Sequence, residues 1–308
     1  MKKAFEVVVL GTSSATPTKY RHPSAHYVRL EGSYLLLDCG EGAQRQLSRY
    51  GLRTQRISHV FITHLHGDHY FGLPGLMTSM ALFGRTEPLV VVGPPALESI
   101  INVLLTESDS TLPYDVQFVK TQFESIETVA VGDNFEVTSV PLKHRVPCTG
   151  FLVKEKGPER RLDVDACVKY KVPMEFYESL KWGEDYITSD GKVISNPQLT
   201  VDGHRNRTYA YITDTIFDPD YIVPIVKGAD LLYHEATFLH DRAARAEETH
   251  HSTSLQAAEI AKSAKVQQLL IGHFSARYND AEPLLIEARD IFPNTFEAVE
   301  GQTFSVGG

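Results

Sequence analysis

Thr63-His64-Leu65-His66-Gly67-Asp68-His69 places four metal-capable side chains within six residues, directly after the apolar run from His59 to Ile62. With Val60 to Thr63 as a buried strand, His64 and His66 lie two apart in extended chain and point to the same side, so both imidazoles reach one ion. Gly67 lets the chain turn into a helix, which brings Asp68 and His69 to a second ion beside the first. Imidazole nitrogen combined with carboxylate oxygen suits Zn²⁺ best and admits Mn²⁺, Fe²⁺ or Co²⁺. A solvated histidine-rich loop is the alternative, but such loops seldom follow a strand-like run in this order.

Further ligands are sought at the ends of later strand-like runs, because in α/β sheets ligands gather beyond the carboxyl ends of strands. Phe135 to Val140 alternates apolar and polar residues and leads to His144; Tyr209 to Thr213 leads to Asp214; Gln268 to Gly272 leads to His273. Each alone reads equally as a hydrogen-bonded structural residue. Together with the opening motif they resemble the metallo-β-lactamase superfamily. That resemblance implies that His64, His66 and His144 hold one ion, that Asp68, His69 and His273 hold the other, and that Asp214 bridges them.

The 308 residues are 42% hydrophobic, enough to bury a large core, and no stretch approaches the roughly 18 to 20 apolar residues of a membrane span. Met1-Lys2-Lys3-Ala4-Phe5 runs straight into a first strand that is too short for a secretory signal, so a cytoplasmic address without membrane attachment is expected. Cys39, Cys148 and Cys167 are odd in number and widely spaced, and read as reduced thiols. A net charge of −9 argues against a broad nucleic-acid-binding surface. Local basic patches and bound cations escape that argument.

Strands are expected at Glu6–Leu10, Tyr27–Leu30 and Tyr34–Leu37, with a hairpin turn at Glu31-Gly32-Ser33. Helices at Glu41–Tyr50, Phe71–Phe83 and Pro95–Leu105 then alternate with strands at Leu89–Val92, Val116–Val119 and Gly150–Val153. The second half continues with helices at Asp218–Val226, Thr253–Ala264 and Glu282–Ile291 around a strand at Asp230–His234. This pattern predicts an α/β fold with two β-layers face to face and helices outside. The superfamily resemblance makes it a four-layer αββα sandwich over residues 1–308, with the metal site at one edge. Residues 154–207 break the alternation. Lys154-Glu155-Lys156-Gly157-Pro158-Glu159-Arg160-Arg161 is basic and turn-forming, Leu162–Tyr170 and Pro173–Trp182 read as short helices, and Asp190-Gly191 as a hairpin turn. The segment reads as a protruding insertion.

Within the superfamily, four more motifs resemble the ribonuclease Z family. They are Asp38-Cys39-Gly40-Glu41-Gly42 with Gln44, His234-Glu235-Ala236-Thr237, His251-Ser252-Thr253, and Gly272-His273-Phe274-Ser275-Ala276-Arg277-Tyr278. With the metal motif they run from about Val9 to Tyr278. The resemblance implies a zinc-dependent endoribonuclease, with two Zn²⁺ per subunit, that removes the 3′ trailer from precursor tRNA and leaves a tRNA 3′-hydroxyl and a trailer 5′-phosphate. Asp68 would position or deprotonate the attacking water, and His251, oriented by Glu235, would protonate the departing oxygen. Ser252-Thr253-Ser254 with Gln256 also reads as a helix cap, and the two roles are compatible. Pro17-Thr18-Lys19-Tyr20-Arg21-His22 resembles the family's Pro-x-Lys-x-Arg-Asn loop near the acceptor end, with His22 in place of Asn, which leaves Lys19 and Arg21 as phosphate contacts. The insertion stands where the family carries a flexible tRNA-gripping arm. Lys154, Lys156, Arg160 and Arg161 would supply its phosphate surface, while Lys171-Val172-Pro173-Met174-Glu175 replaces the arm's interior Gly-Pro. The family also implies a homodimer. A small-molecule hydrolase of the same fold would lack these later motifs and the arm, and a silent RNA-binding paralogue would have lost ligands that this chain keeps.

Overall fold

In a computed structural model describing residues 4–158, 160–203 and 205–307, two seven-stranded sheets stack between two layers of helices. The sequence readings that touch Met1–Lys3 and Glu159 lie outside the described residues. The chain first lays down β1 (Phe5–Gly11), β2 (Ala25–Leu30), β3 (Ser33–Leu37), β4 (Ile57–Phe61), β5 (Leu89–Gly93) and β6 (Val116–Lys120). It then starts the second sheet with β7 (Glu127–Val131), β8 (Phe135–Leu142) and β9 (Cys148–Glu155). The excursion that follows contributes only the small pairs β10 (Arg160–Leu162) with β13 (Thr200–Asp202) and β11 (Tyr186–Ile187) with β12 (Val193–Ile194). The second sheet resumes with β14 (Thr208–Ile212), β15 (Leu231–Glu235), β16 (Leu269–Gly272) and β17 (Thr295–Glu297), and β18 (Thr303–Ser305) returns to pair with β1.

Helices α1 (Ala43–Arg49), α2 (Gly67–Tyr70), α3 (Leu73–Leu82) and α4 (Leu97–Glu107) accompany the first sheet. Helices α5 (Val164–Lys169) and α6 (Tyr177–Lys181) belong to the excursion. The second sheet is accompanied by α7 (Pro219–Val226), α8 (Ala243–Thr249), α9 (Ser254–Ala264) and α10 (Glu282–Ile291).

Strand alternation explains the layering. In β3, Leu35 and Leu37 point into the space between the sheets, while Tyr34 and Leu36 point to the helices; in β14, Tyr209 and Tyr211 face inward and Ala210 and Ile212 outward. Both faces are apolar because both are covered, which is why these strands read as continuous hydrophobic runs. The interior cluster between the sheets includes Val9, Leu37, Phe61, Phe151, Tyr211 and Leu270. This is the αββα sandwich that the sequence implies.

Several boundaries differ from expectation. The helix expected from Glu41 begins at Ala43, because Gly42 takes a left-handed φ of 85° before it. The helix expected over Phe71–Phe83 is interrupted. A turn of helix over Gly67–Tyr70 ends, and α3 begins at Leu73, where Gly72 presses on the first sheet's loop. A Cβ at Gly72 would stand 2.3 Å from the Gly40 carbonyl oxygen. The close approach lets Gly72 donate its N–H to Cys39 O and Cys39 donate to His69 O, tying the metal motif to the end of β3. Strands β7, β17 and β18 and helix α8 had no reading in sequence; they are short or half-exposed edge elements with weak patterning.

The insertion is shorter at its root than expected. Lys154 is still a ladder position of β9, opposite Glu136 on one side and Thr208 on the other, and Glu155, opposite Phe135, donates its N–H to Arg207 O. The chain therefore leaves the sheet after Glu155, at the end of β9 opposite to Cys148. The excursion has its own small core of Cys167, Val172, Leu180, Tyr186, Ile194 and Leu199. Buried Asn196 pins it by donating to Leu180 O at 2.7 Å and Glu184 O at 2.8 Å. Asp163 caps α5 by accepting from Ala166 N–H, and the expected hairpin at Asp190-Gly191 joins β11 to β12. All three cysteines are free and buried.

Candidate metal centre

The parallel strands of both sheets, β3 to β6 in one and β14 to β17 in the other, bring their carboxyl ends to one edge of the sandwich, where Thr149 donates its N–H to Thr63 O across the sheets. All seven expected ligands meet there. His64 Nε2 and His66 Nδ1 are 2.9 Å apart, and His144 Nε2 is 3.2 Å from the same His66 nitrogen. Asp214 Oδ2 lies 3.5 Å from His64 Nε2 and 3.7 Å from His144 Nε2. Its other oxygen, Oδ1, lies 3.5 Å from His69 Nε2 and 3.2 Å from His273 Nε2, while Asp68 Oδ2 lies 3.4 and 3.6 Å from those two nitrogens. Asp214 thus faces a different cluster with each oxygen.

These separations fit a pair of cations. Two donors bonded tetrahedrally to one Zn²⁺ stand about 3.3 Å apart. His69 Nε2 and His273 Nε2 are buried and make no hydrogen bond among the described residues, although carboxylate oxygens surround them. A buried imidazole nitrogen without a partner is costly unless something else takes its lone pair. Burial, the largest influence, pulls the pKa values of His64, His66 and His144 down, His144 to about 4, so these rings are neutral and have a lone pair to give. Burial also opposes ionisation of Asp68 and Asp214, but the surrounding imidazoles outweigh it and hold both carboxylates below the usual range. The residues present are therefore two candidate His/Asp clusters suited to a dinuclear site.

Around the ligands stands a second ring of hydrogen bonds, most of which sequence reading missed. Buried Asp38, one residue past β3, accepts from His69 Nδ1–H at 2.7 Å, from Thr63 N–H at 2.9 Å and from the Tyr211 hydroxyl at 2.9 Å. The strand-end rule that found His144, Asp214 and His273 would also have selected Asp38. His144 Nδ1–H donates to the carbonyl of His250, which the left-handed φ of 58° at His250 helps to aim. Ala15 N–H donates to Asp68 Oδ2 at 2.7 Å, also from a positive φ. The Thr237 hydroxyl, 3.0 Å from His273 Nδ1, donates to Glu235 Oε2 at 2.6 Å.

Beside the clusters, His251 Nδ1–H donates to Glu235 Oε1 at 2.9 Å. Burial lowers the His251 pKa, but the Glu235 carboxylate and its hydrogen bond outweigh it and lift the group to about 9. Arg145, next to His144, works the other way, its charge opposing protonation of both His251 and His66. His251 is further able to join Asp214 and His273 as a third donor set. Thr253 and Gln256 complete a capping box on α9, so the segment that carries His251 is fixed at the helix start.

The expected RNA contacts are less uniform. Lys19 is exposed over the ring of Tyr20, itself 70% exposed. Arg21 is committed elsewhere; it donates to Tyr278 O at 2.7 Å and Asn279 O at 3.5 Å and lies over Phe274. His22 is clamped by Glu300, which accepts from its backbone N–H at 2.5 Å and from Nδ1–H at 2.8 Å. Lys154, Lys156 and Arg161 are exposed, whereas Arg160 is paired with Asp202 and donates to Thr200 O. The segment 154–207 has ten basic and ten acidic residues, so it is neutral in a chain of charge −9. No helix of the described residues is long and apolar enough to cross a membrane.

Compared with known proteins, the chain is 44% identical over 302 residues to a ribonuclease Z of Parabacteroides distasonis, covering 98% of this chain and 99% of that one. It is 45% identical over 304 residues to a ribonuclease Z of Bacteroides thetaiotaomicron, covering 98% and 95%. Among solved structures, the short form of human tRNase Z superposes with a TM-score of 0.71 at 28% identity, over 98% of this chain and 99% of that one. The profile of a family described as anti-Pycsar protein Apyc1 matches residues 5–156, the part before the excursion.

Proposed function

The chain belongs to the ribonuclease Z family of the metallo-β-lactamase superfamily, and we infer that it is a metal-dependent endoribonuclease that removes the 3′ trailer from precursor tRNA. The observation that carries this reading is the Glu235–His251 hydrogen bond, which helps lift the imidazole pKa to about 9, beside two clusters that Asp214 faces with one oxygen each. A buried acid at that place serves the expulsion of an alkoxide.

His64, His66 and His144 would hold one cation, Asp68, His69 and His273 the other, with Asp214 between them. The nitrogen-rich donor set favours Zn²⁺, with Mn²⁺, Fe²⁺ and Co²⁺ as substitutes. When bound, the two cations neutralise phosphate charge and lower the pKa of water. Asp68, steadied by Ala15 N–H, positions or deprotonates the attacking water. His251 donates a proton to the departing 3′ oxygen, which gives a tRNA 3′-hydroxyl and a trailer 5′-phosphate. Glu235 keeps His251 charged and turned toward the site. Lys19 meets an RNA phosphate, and Arg21 anchors the loop that presents it. Lys154, at the end of β9, and Lys156, Arg160 and Arg161 line the root of an arm, residues 156–207, that grips the tRNA body of a substrate cut in the partner subunit of a cytoplasmic homodimer.

The test is a 5′-labelled precursor tRNA incubated with metal-loaded protein beside Asp68→Ala and His251→Ala. The expected result is a single metal-dependent cut just after the discriminator base, lost in the first variant and strongly slowed in the second. Intact RNA, with hydrolysis of a small phosphodiester or lactone instead, would keep the metal centre and sink the tRNA assignment.

A further inference from the structure

Arg145 stands in the loop between β8 and β9, one residue beyond His144, whose Nε2 belongs to the metal cluster. Its side chain is exposed, and among the described residues it makes no ion pair or hydrogen bond. The cation next to it in sequence is committed. Neighbouring Lys143 is paired with Asp218 at 2.6 Å, and Arg21, in the loop before β2, is spent on backbone carbonyls. A guanidinium has five donors and no acceptor, and it suits phosphate oxygens in a fork that lysine does not reproduce. Pro147 ends the bend and restricts Val146, the residue after Arg145, so the loop's exit back into β9 is fixed two residues beyond Arg145.

Two more observations give the position meaning. The His144 ring that precedes Arg145 in the chain stands 5.2 Å from the ring of His251 and its Nε2 3.2 Å from His66 Nδ1, which puts this loop on the side of the centre where the proton donor stands. The chain carries a net charge of −9, so RNA phosphates must be met by local cations.

We propose that Arg145 holds a phosphate of the RNA adjacent to the scissile bond, on the side where the 3′ oxygen departs. The inference rests on the endoribonuclease reading and names a contact within it. Each nucleotide brings one phosphate, and the one next to the bond being cut is the first to lie outside the buried clusters, within reach of an exposed side chain anchored at the rim. Lysine at this position keeps the charge and loses the fork; alanine loses both.

The experiment compares metal-loaded wild type, Arg145→Ala, Arg145→Lys and Arg145→Glu on precursor tRNA, with kcat and KM measured across a series of KCl concentrations. Arg145→Ala is expected to raise KM about tenfold with kcat changed by less than about threefold, as for loss of one charge-assisted phosphate contact. The slope of log(kcat/KM) against log salt should become shallower by about 0.7, the single-strand value for one phosphate. Arg145→Lys should recover part of the KM, and Arg145→Glu should be the weakest binder. Equal thermal unfolding curves for the four proteins would keep the reading clear of misfolding. Unchanged KM and salt slope in all three variants would overturn the proposal. So would a fall in kcat alone with a shifted alkaline limb, because Arg145 would then act through His251. Failure of the wild type to cut precursor tRNA would bring down the family reading and this contact together, whereas a cutting wild type matched by its variants would remove only Arg145.

Discussion

Replacing Glu235 by Gln tests whether a buried carboxylate keeps His251 charged as the proton donor. Burial alone pulls the His251 pKa below its ordinary 6.5, and Glu235 is the largest influence that reverses it, up to about 9. Asp214 also lifts His251, but its charge would be shared with cations held by the two clusters, which leaves Glu235 as the counter-ion. Without that charge the pKa falls to 6.5 or lower, a change of at least about 2.5 units, or about 3 kcal/mol between the protonated and neutral forms. At about pH 7.5 the donor fraction then drops from nearly complete to under about one tenth, and single-turnover cleavage slows about tenfold or more. The sign follows from a raised pKa. Wild-type activity persists as pH rises until it passes about 9, whereas Glu235→Gln loses activity across the neutral range.

Glutamine is the informative choice because the geometry survives. Its oxygen, at the place of Oε1, still accepts from His251 Nδ1–H and Thr215 N–H, and the Thr237 hydroxyl at Oε2 turns to accept from the new amide. The assay is a pH–rate profile on labelled precursor tRNA at saturating protein, with metal content measured on the same samples. A Glu235→Gln protein that retains both ions and the wild-type alkaline limb would refute the reasoning, and Glu235 would then be a structural acceptor for Thr215 and Thr237 only.

Tyr211→Phe removes the hydroxyl that Asp38 accepts while filling the same space between the sheets, and because Asp38 orients His69, zinc affinity should fall about tenfold by competition with a chromophoric chelator. An unchanged affinity would show that Thr63 alone suffices to hold Asp38. Stripping the metals should lower the unfolding temperature, since a cation at about a thousand times its Kd stabilises the folded state by about 4 kcal/mol; calorimetry showing equal stability with and without zinc would contradict the donor geometry. Phe151→Ala opens a cavity between the sheets, where the ring packs 5.3 Å from Phe61, and should cost about 3–5 kcal/mol in urea unfolding. A loss below about 1 kcal/mol would mean that the sheets close over the gap.

Most of the strands and the cluster-forming side chains are legible in sequence because the signals are local. A strand buried on both faces shows as a continuous apolar run, and a ligand stands directly after such a run, so His64, Asp214 and His273 are found by one rule, while His144 follows a strand of alternating pattern. The turn at Gly67 and the spacing of His64, His66, Asp68 and His69 belong to the same short stretch. What local pattern leaves open is partnership across the chain. Asp38 reaches His69 and Tyr211 only because β3 and β14 face each other in opposite sheets, and His251 meets Glu235 because α9 starts beside the end of β15. Lys154 reads as the start of an insertion, yet it is a ladder residue, since hydrogen bonding to Thr208 is decided by a strand more than fifty residues away. Arg21 reads as a free cation until Tyr278 and Asn279 bring their carbonyls to it, while Arg145 gives no sequence signal and becomes notable through what it stands beside. Residue type and periodicity thus determined which side chains are able to bind metal and where the strands run. The stacking of the two sheets decided which of them gather into one cluster, which are oriented by a buried acid and which remain exposed, because those contacts form between segments that meet only after the apolar faces have closed.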